Sequence, residues 1–274
     1  MVSVLILTLN EEKNLARCLA SVTWSDDVVV LDSFSTDQTL DIAKASGVRV
    51  FQRKFDNYAS HRNWALQNIS FANQWVYFCD ADEVVTEELQ EELLNISSNN
   101  SSAAVAYRLR YKNYFRGKWI RHCGIYPVWA LRFFQHDKVR FHRLVHTTAE
   151  VDGPVGQLKA HFEHYSFNNG MCAWFKKHAQ YAEKEAIECF NELKSGSLDW
   201  RGLFSIQDPV RRRMALKYLS FRLPLRPLLK FFYMYIMRLG FLDGRQGFTY
   251  CCLISVYEYM IVQNLKEMRR QNAC

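Results

Sequence analysis

The sequence predicts an α/β protein: a doubly wound, mostly parallel sheet followed by a helical C-terminal appendage. Three observations predict it. Apolar, strand-like runs alternate with helical segments from Val2 to Asn95. Those runs are continuous rather than alternating, as expected for strands covered on both faces. From Asn168 to the end the pattern is helical throughout.

The elements follow in order. Val2 to Leu9 is a β-rich run. Asn10 can cap a helix over Glu11 to Val22, with acidic residues in its first turn. Asp27 to Asp32 is a second apolar run. Ser35 or Thr36 caps a helix that ends at Gly47, a C-terminal stop. Val48 to Gln52 is a third strand, Tyr58 to Ile69 a helix, Trp75 to Cys79 a fourth strand and Thr86 to Asn95 a fourth helix. Right-handed crossovers wind these units on both faces of one sheet.

After the polar loop Ser97 to Ser102 the pattern changes. Ala103 to Phe115, Ala130 to Phe134 and Leu158 to Tyr165 read as strands without regular helices between them. The expected organisation is a catalytic domain over residues 1–166 and a helical region over 167–274. The catalytic domain divides at 102 and 103 into a ligand-binding half and an acceptor half.

Composition narrows the class. With 274 residues, 49% hydrophobic and 23% charged, the chain can bury a sizeable core. The net charge of +7 is unevenly placed. Arg201 to Cys274 carries 13 Lys and Arg against 4 Asp and Glu, a balance of +9, and the first 200 residues balance at −2. The eight cysteines show no C-x-x-C spacing and read as reduced thiols of a cytosolic protein. The N-terminal run lacks a basic flank and a cleavage site, so no signal peptide is expected.

Ligands of doubly wound sheets bind outside the carboxyl ends of the strands. Three such ends are polar here: Leu9-Asn10-Glu11, Leu31-Asp32-Ser33 and Cys79-Asp80-Ala81-Asp82. Asp80 and Asp82, two residues apart past a buried strand, can converge on one hard cation such as Mg²⁺ or Mn²⁺. Asp32 at the same edge can accept hydrogen bonds from a ribose or a base. Glycine-rich G-x-G-x-x-G and P-loop patterns are absent, so a dinucleotide fold and a P-loop are not expected. A nucleotidyl- or phosphotransferase also uses Asp pairs and Mg²⁺, and is the alternative enzyme class.

The runs Val2 to Glu12, Val30 to Thr39 and Asp80-Ala81-Asp82-Glu83 resemble family 2 glycosyltransferases of GT-A fold, the nucleotide-diphospho-sugar transferase architecture. Tyr58-Ala59-Ser60-His61-Arg62-Asn63-Trp64-Ala65-Leu66 resembles a segment of a narrower branch, with His61 in place of the usual Gln. Gly240 to Phe248 matches the same branch, which includes lipopolysaccharide core β-1,4-glucosyltransferases. The resemblance implies an inverting transfer from a nucleotide-sugar, such as UDP-glucose, to a lipid-linked saccharide. It implies that Thr8, Asn10, Glu11 and Asp32 face the nucleoside. Asp80 and Asp82 hold a Mg²⁺ or Mn²⁺ on the donor diphosphate, and Arg62 and Asn63 line the donor site. Asp37 braces its loop. Family members often carry His-Glu where Val145-His146-Thr147-Thr148-Ala149-Glu150 stands. Thr147 replaces the carboxylate, which leaves His146 or Glu150, then Asp152, as the base.

The tail completes the expectation. Leu223 to Arg238 mixes basic and large apolar residues, and Phe248 to Val262 is a second apolar stretch broken by Glu258. Neither supplies the roughly 20 apolar residues of a spanning helix. Helices lying in the interface of an anionic membrane fit the first reading, and a helical cap packed on the catalytic domain is the second. Aromatics interleaved with Leu and Met favour lipid over nucleic acid. The expected location is the inner face of the cytoplasmic membrane, held peripherally. A non-catalytic module binding a membrane surface is the alternative outside the enzymes.

Overall fold

The computed structural model describes residues 1–99, 103–142, 148–194, 199–204 and 225–272, with 212, 215–216, 219–220 and 223 between them. Two compact units emerge. One is Met1–Arg121 with Ile125–Asn169, and the other is His122–Gly124 with Gly170–Cys274.

The first unit is built on one sheet. Strands β1 (Val2–Thr8), β2 (Asp27–Asp32), β3 (Arg49–Gln52) and β4 (Trp75–Asp80) are parallel, in the order β3-β2-β1-β4. Helices α1 (Leu15–Ala20), α2 (Thr39–Ala45) and α3 (Tyr58–Asn68) connect them. Beyond β4 come the short strand β5 (Glu83–Val84) and helix α4 (Glu87–Ser98), then β6 (Ala106–Phe115), β7 (Lys118–Trp119) and β8 (Trp129–Gln135). β8 is antiparallel to both β4 and β6, and β11 (Val155–His164) runs parallel to β6 and pairs with β5. β9 (Val139–His142) and β10 (Thr148–Val151) form a separate two-stranded ribbon.

The apolar runs are continuous because both faces are covered. Val4, Ile6, Val30 and Cys79 point into one core with Leu15, Cys18, Leu89 and Leu93. Their chain neighbours Leu5, Val29, Leu31 and Phe78 point the other way, against Ala59, Ala65, Phe134 and Phe141. Truncating a fully buried leucine such as Leu5 to alanine would cost about 2–5 kcal/mol.

Helix starts differ from the sequence reading. α1 begins at Leu15 rather than Glu11, because Asn10 takes a left-handed backbone (φ 55°) and its side chain serves Thr36 instead of capping. α2 begins at Thr39, because Ser35 is spent on Asp32 and Asp37 accepts from the Thr39 N–H and hydroxyl. α3 and α4 start where expected: Asn57 accepts from the Ser60 N–H and Thr86 from the Leu89 N–H. The strands β5, β7, β9 and β10 were not foreseen; each has four residues or fewer.

The second unit holds α5 (Met171–Lys194), α6 (Trp200–Leu203), α7 (Arg226–Phe232), a π-helical turn over Tyr233–Met237, a 3₁₀ turn over Gly240–Asp243 and α8 (Gly244–Gln271). Ala182, Ala186 and Cys189 of α5 form a core with Ile261 and Leu265 of α8. Phe248 to Val262 is therefore part of a helix packed on α5 within this unit. Gly240 and Gly247 lie so close that a Cβ on Gly247 would sit 2.2 Å from the Gly240 carbonyl oxygen.

Candidate functional site

The carboxyl ends of β1, β2 and β4 are level, since Thr8 pairs with Asp32 and Leu7 with Asp80. Polar residues at three separate places in the sequence thus share one edge.

At the β4 end the turn Asp80-Ala81-Asp82-Glu83 folds back on itself. The Asp80 N–H donates to the Glu83 carboxylate at 3.1 Å, and the Ala81 N–H to the Leu7 carbonyl at 3.2 Å. Arg132 of β8 bridges the carboxylates of Asp80 and Glu83. An antiparallel strand delivers its entering residues where its neighbour ends, and the Tyr77–Phe133 pairing brings Arg132 to this edge. Arg62 of α3 stands 3.9 Å from Asp80, and Nε2 of His164, at the end of β11, lies 3.3 Å from Asp82. The Asp80 side chain keeps 33% of its surface open and Asp82 13%, while Glu83 has 1%.

The charges of this cluster divide unevenly. Burial alone would raise the Asp80 pKa, but Arg132 and Arg62 outweigh it and hold the carboxyl well below its usual range. Glu83 is pushed up to about 7, by burial first and by Asp80 beside it, against the pull of Arg132. Burial disfavours charge on His164, yet the Asp82 carboxylate overrides it and lifts the imidazole pKa.

The β2 end has the opposite character. Asp32 is fully buried. One carboxylate oxygen accepts from the Thr8 and Ser35 hydroxyls, and the other from the Ser35 N–H and the Gln52 amide, both at 3.0 Å. Burial would raise its pKa; hydrogen bonds from Ser35, Gln52 and Thr8 prevail and lower it. Asp32 and Thr8, expected to face a nucleoside, are bonded to each other, and Asp32 braces the loop through Ser35. What that loop presents is Ser33, part-buried, and Phe34, 54% exposed with a left-handed backbone (φ 61°) that is strained for a bulky residue. Asn10 accepts from the Thr36 N–H at 2.8 Å, and Glu11 from the Asn14 amide at 2.7 Å.

Other expected residues lie elsewhere. The Asn63 amide donates to the Phe141 carbonyl and accepts from the Phe141 N–H, both at 2.8 Å, so it docks α3 on β9. Glu150 is exposed on β10 and pairs with His142 at 2.8 Å. Asp152 pairs with Lys138 at the surface. His146 lies outside the described residues. A cleft of about 510 Å³ between α3 and β9, with Arg53, Ser60, Trp64 and His142 on its walls, includes none of the β4-end carboxylates. At the β4 edge, by contrast, a partly open carboxylate stands beside guanidinium groups.

The donor set there fits a divalent ion. No group of three or more His, Cys, Asp or Glu is arranged as a metal cage among the described residues. Mg²⁺ is commonly held by one or two carboxylates plus substrate phosphates and water, and Asp80 and Asp82 are two such carboxylates. Nε and Nη1 of Arg132 and Nδ1 of His164 are buried without a hydrogen-bond partner. Such orphaned nitrogens are costly, and a diphosphate oxygen would satisfy the guanidinium donors.

The sequence model described as Glycosyl transferase family 2 matches residues 3–165, more than half of the chain. The chain belongs to glycosyl transferase family 2. Both strand ends described above fall inside the matched segment, and the parallel β3-β2-β1-β4 core with its helical C-terminal region is the GT-A architecture of that family. Among its relatives, the chain is 36% identical over 118 residues to an uncharacterised glycosyltransferase of Rickettsia typhi, covering 42% of this chain and 40% of the relative. It is 27% identical over 164 residues to the lipopolysaccharide core biosynthesis glycosyltransferase LpsC of Rhizobium meliloti, covering 57% and 60%. The chain thus spans about two fifths of the length of the Rickettsia relative. Among solved structures it is similar to glucosyl-3-phosphoglycerate synthase of Mycobacterium tuberculosis in complex with Mn²⁺, UDP and glucosyl-3-phosphoglycerate. That likeness has a TM-score of 0.33, 25% identity and coverage of 43% and 44%.

Sequence reasoning missed Arg132, His164 and the burial of Glu83, which reads locally as a residue favouring a helix start. One signal was present for Arg132: a lone cation inside the apolar run Leu131-Arg132-Phe133-Phe134. His164 and Glu83 carry no local signal, because β11 and β5 become neighbours only in the fold.

Proposed function

We propose that this family 2 enzyme moves a hexose from a nucleotide-sugar, UDP-glucose being the donor to try first, to a lipid-linked or lipopolysaccharide-core saccharide with inversion at the anomeric carbon. One observation carries the donor reading: two carboxylates and two buried guanidiniums converge at the end of β4. LpsC, named for lipopolysaccharide core biosynthesis, supports the acceptor class.

Asp80 and Asp82 hold Mg²⁺ or Mn²⁺ in this reading, and the ion supplies neutralisation of the charge that builds on the departing diphosphate. Arg62 and Arg132 face the same charge. Asn10 and Glu11 line the nucleoside side, while Thr8, Asp32 and Asn63 shape the site from behind. Residues 1–102 carry the donor and 103–166 the acceptor. Glu150 or His146 takes the proton of the acceptor hydroxyl. The acceptor's lipid places the enzyme at the inner face of the cytoplasmic membrane. Transfer and donor hydrolysis, screened across nucleotide-sugars with and without Mn²⁺, test the reading. No turnover of any donor with metal present would overturn it.

A further inference from the structure

In the second unit the residues around α7 are arranged inside out. Arg226 is buried and pairs with buried Glu258 at 2.7 Å. Around it the large apolar side chains face outward. Leu225 is 70% exposed, Leu228 53%, Phe232 57%, Ile236 50% and Met237 74%. Leu225, Leu228, Leu229 and Phe232 follow the i, i+3, i+4, i+7 spacing of one helix face, and the π turn extends the exposed series through Ile236 and Met237. Phe231, Tyr235, Phe241 and Phe248 contact one another ring to ring, with centroids 5.3–6.2 Å apart, and fix the turns and α8 together. The exposed face is therefore held in shape.

Water is a poor solvent for such a face, since contiguous exposed apolar patches mark contact surfaces. Its charges select the partner. From Leu223 to Phe248 the acidic residue is Asp243, and it is buried; Lys230 is half-buried and Arg238 and Arg245 are exposed. Every charge that reaches the surface of this segment is positive. Two copies would repel each other, and the partner carries negative charge. Leu, Ile and Met offer nothing for a base to stack on, but they suit acyl chains. No helix among the described residues is long and apolar enough to cross a membrane.

We propose that the face from Leu225 to Phe248 docks on an anionic bilayer surface. Leu228, Phe232, Ile236 and Met237 enter the headgroup–acyl boundary, and Lys230, Arg238 and Arg245 meet lipid phosphates. The proposal deepens the preceding reading, which puts the acceptor in a membrane, and it is measured without sugar transfer.

The test is co-sedimentation of the full chain with phosphatidylcholine vesicles, with and without phosphatidylglycerol, at low and high salt. The wild type should pellet with phosphatidylglycerol vesicles, and salt should weaken but not abolish binding. Combined Leu228→Ser, Phe232→Ser and Met237→Ser should remove the salt-resistant part, a loss of at least about tenfold. Lys230→Gln with Arg245→Gln should weaken the salt-sensitive part by about fivefold per residue. Both variants should melt no lower than wild type and turn over donor unchanged, because the altered side chains are exposed or half-buried and none is among the residues at the β4 edge. A wild type that stays in the supernatant, or a triple serine variant that pellets equally well, would overturn the proposal. A dimer in sedimentation velocity that the serine variant dissolves, without vesicle binding, would overturn it in favour of a second copy. Vesicle binding without turnover of any donor would leave the docking face standing and remove the sugar-transfer reading instead.

Discussion

Asp32 and Asp80 end neighbouring parts of the same parallel sheet, and the sequence presents them alike. Their surroundings differ completely. Asp32 is fully buried and filled by four hydrogen bonds from neutral groups. Asp80 is one-third open and answered by guanidinium charge. A carboxylate saturated by fixed neutral donors has no capacity left for a ligand and acts as a brace. A carboxylate that is partly open and answered by charge can take a further partner at its open side. Strand-end position alone therefore does not identify a ligand residue; the nature of the partner does.

The widest separation between the two ends should come from Asp82→Ala. It should lower transfer by on the order of 10³-fold with the melting temperature unchanged, as loss of a metal ligand implies. Near-normal turnover in saturating Mn²⁺ would break the contrast, since both ends would then be structural. Next is Arg132→Met, which strands the Asp80 and Glu83 carboxylates without their cation. A destabilisation of about 3–5 kcal/mol in urea unfolding is expected; a neutral result would mean that Arg132 contributes no compensation to the β4 end.

Asp32→Asn keeps the shape but sets an NH₂ group against donors it cannot accept from. Stability should fall by about 1–3 kcal/mol, with donor KM rising more than kcat falls. An unchanged stability with a collapsed kcat would make Asp32 a ligand residue after all.

The smallest effect concerns His61, which touches the Ser33 hydroxyl at 3.3 Å and Arg53 at 3.0 Å. Burial, then the Arg53 charge, lowers its pKa to about 4. The folded ring is neutral, while the unfolded chain protonates near 6.5. Stability is thus unpenalised above that value and declines as the pH falls from 6.5 toward 4, by on the order of 2 kcal/mol. His61→Gln should flatten the dependence of melting temperature on pH in that window. Parallel curves for the two proteins would remove His61 from the acid response.

The four parallel strands were legible because burial on both faces makes their sequences uniformly apolar, and family 2 membership agrees with that reading. Asp80 and Asp82 were legible as a pair for the same reason: they interrupt such a run at its end. Helix starts were misplaced where a side chain that looks like a cap serves another loop, as Asn10 and Ser35 do. Arg132 and His164 were illegible because their meaning lies in pairings some 50 to 80 residues away along the chain. The tail shows the same limit. Two apolar stretches part company, α8 packed on α5 and α7 with its large apolar side chains outward, and apolar content alone does not announce which is which.

The entry of β8 against β4 bears on how the protein can be made. When α4 leaves the ribosome the chain has all four parallel strands β1 to β4, yet Arg132 lies 52 residues beyond Asp80. Until it arrives, the three carboxylates of the turn at Asp80 to Glu83 have Arg62 beside Asp80 but lack the guanidinium that bridges Asp80 and Glu83. Repulsion and hydration of those groups oppose burial of the turn. A fragment ending at residue 99 should consequently stay labile by circular dichroism and proteolysis, while one reaching residue 169 should fold, so the consecutive β-α run is not a detachable module.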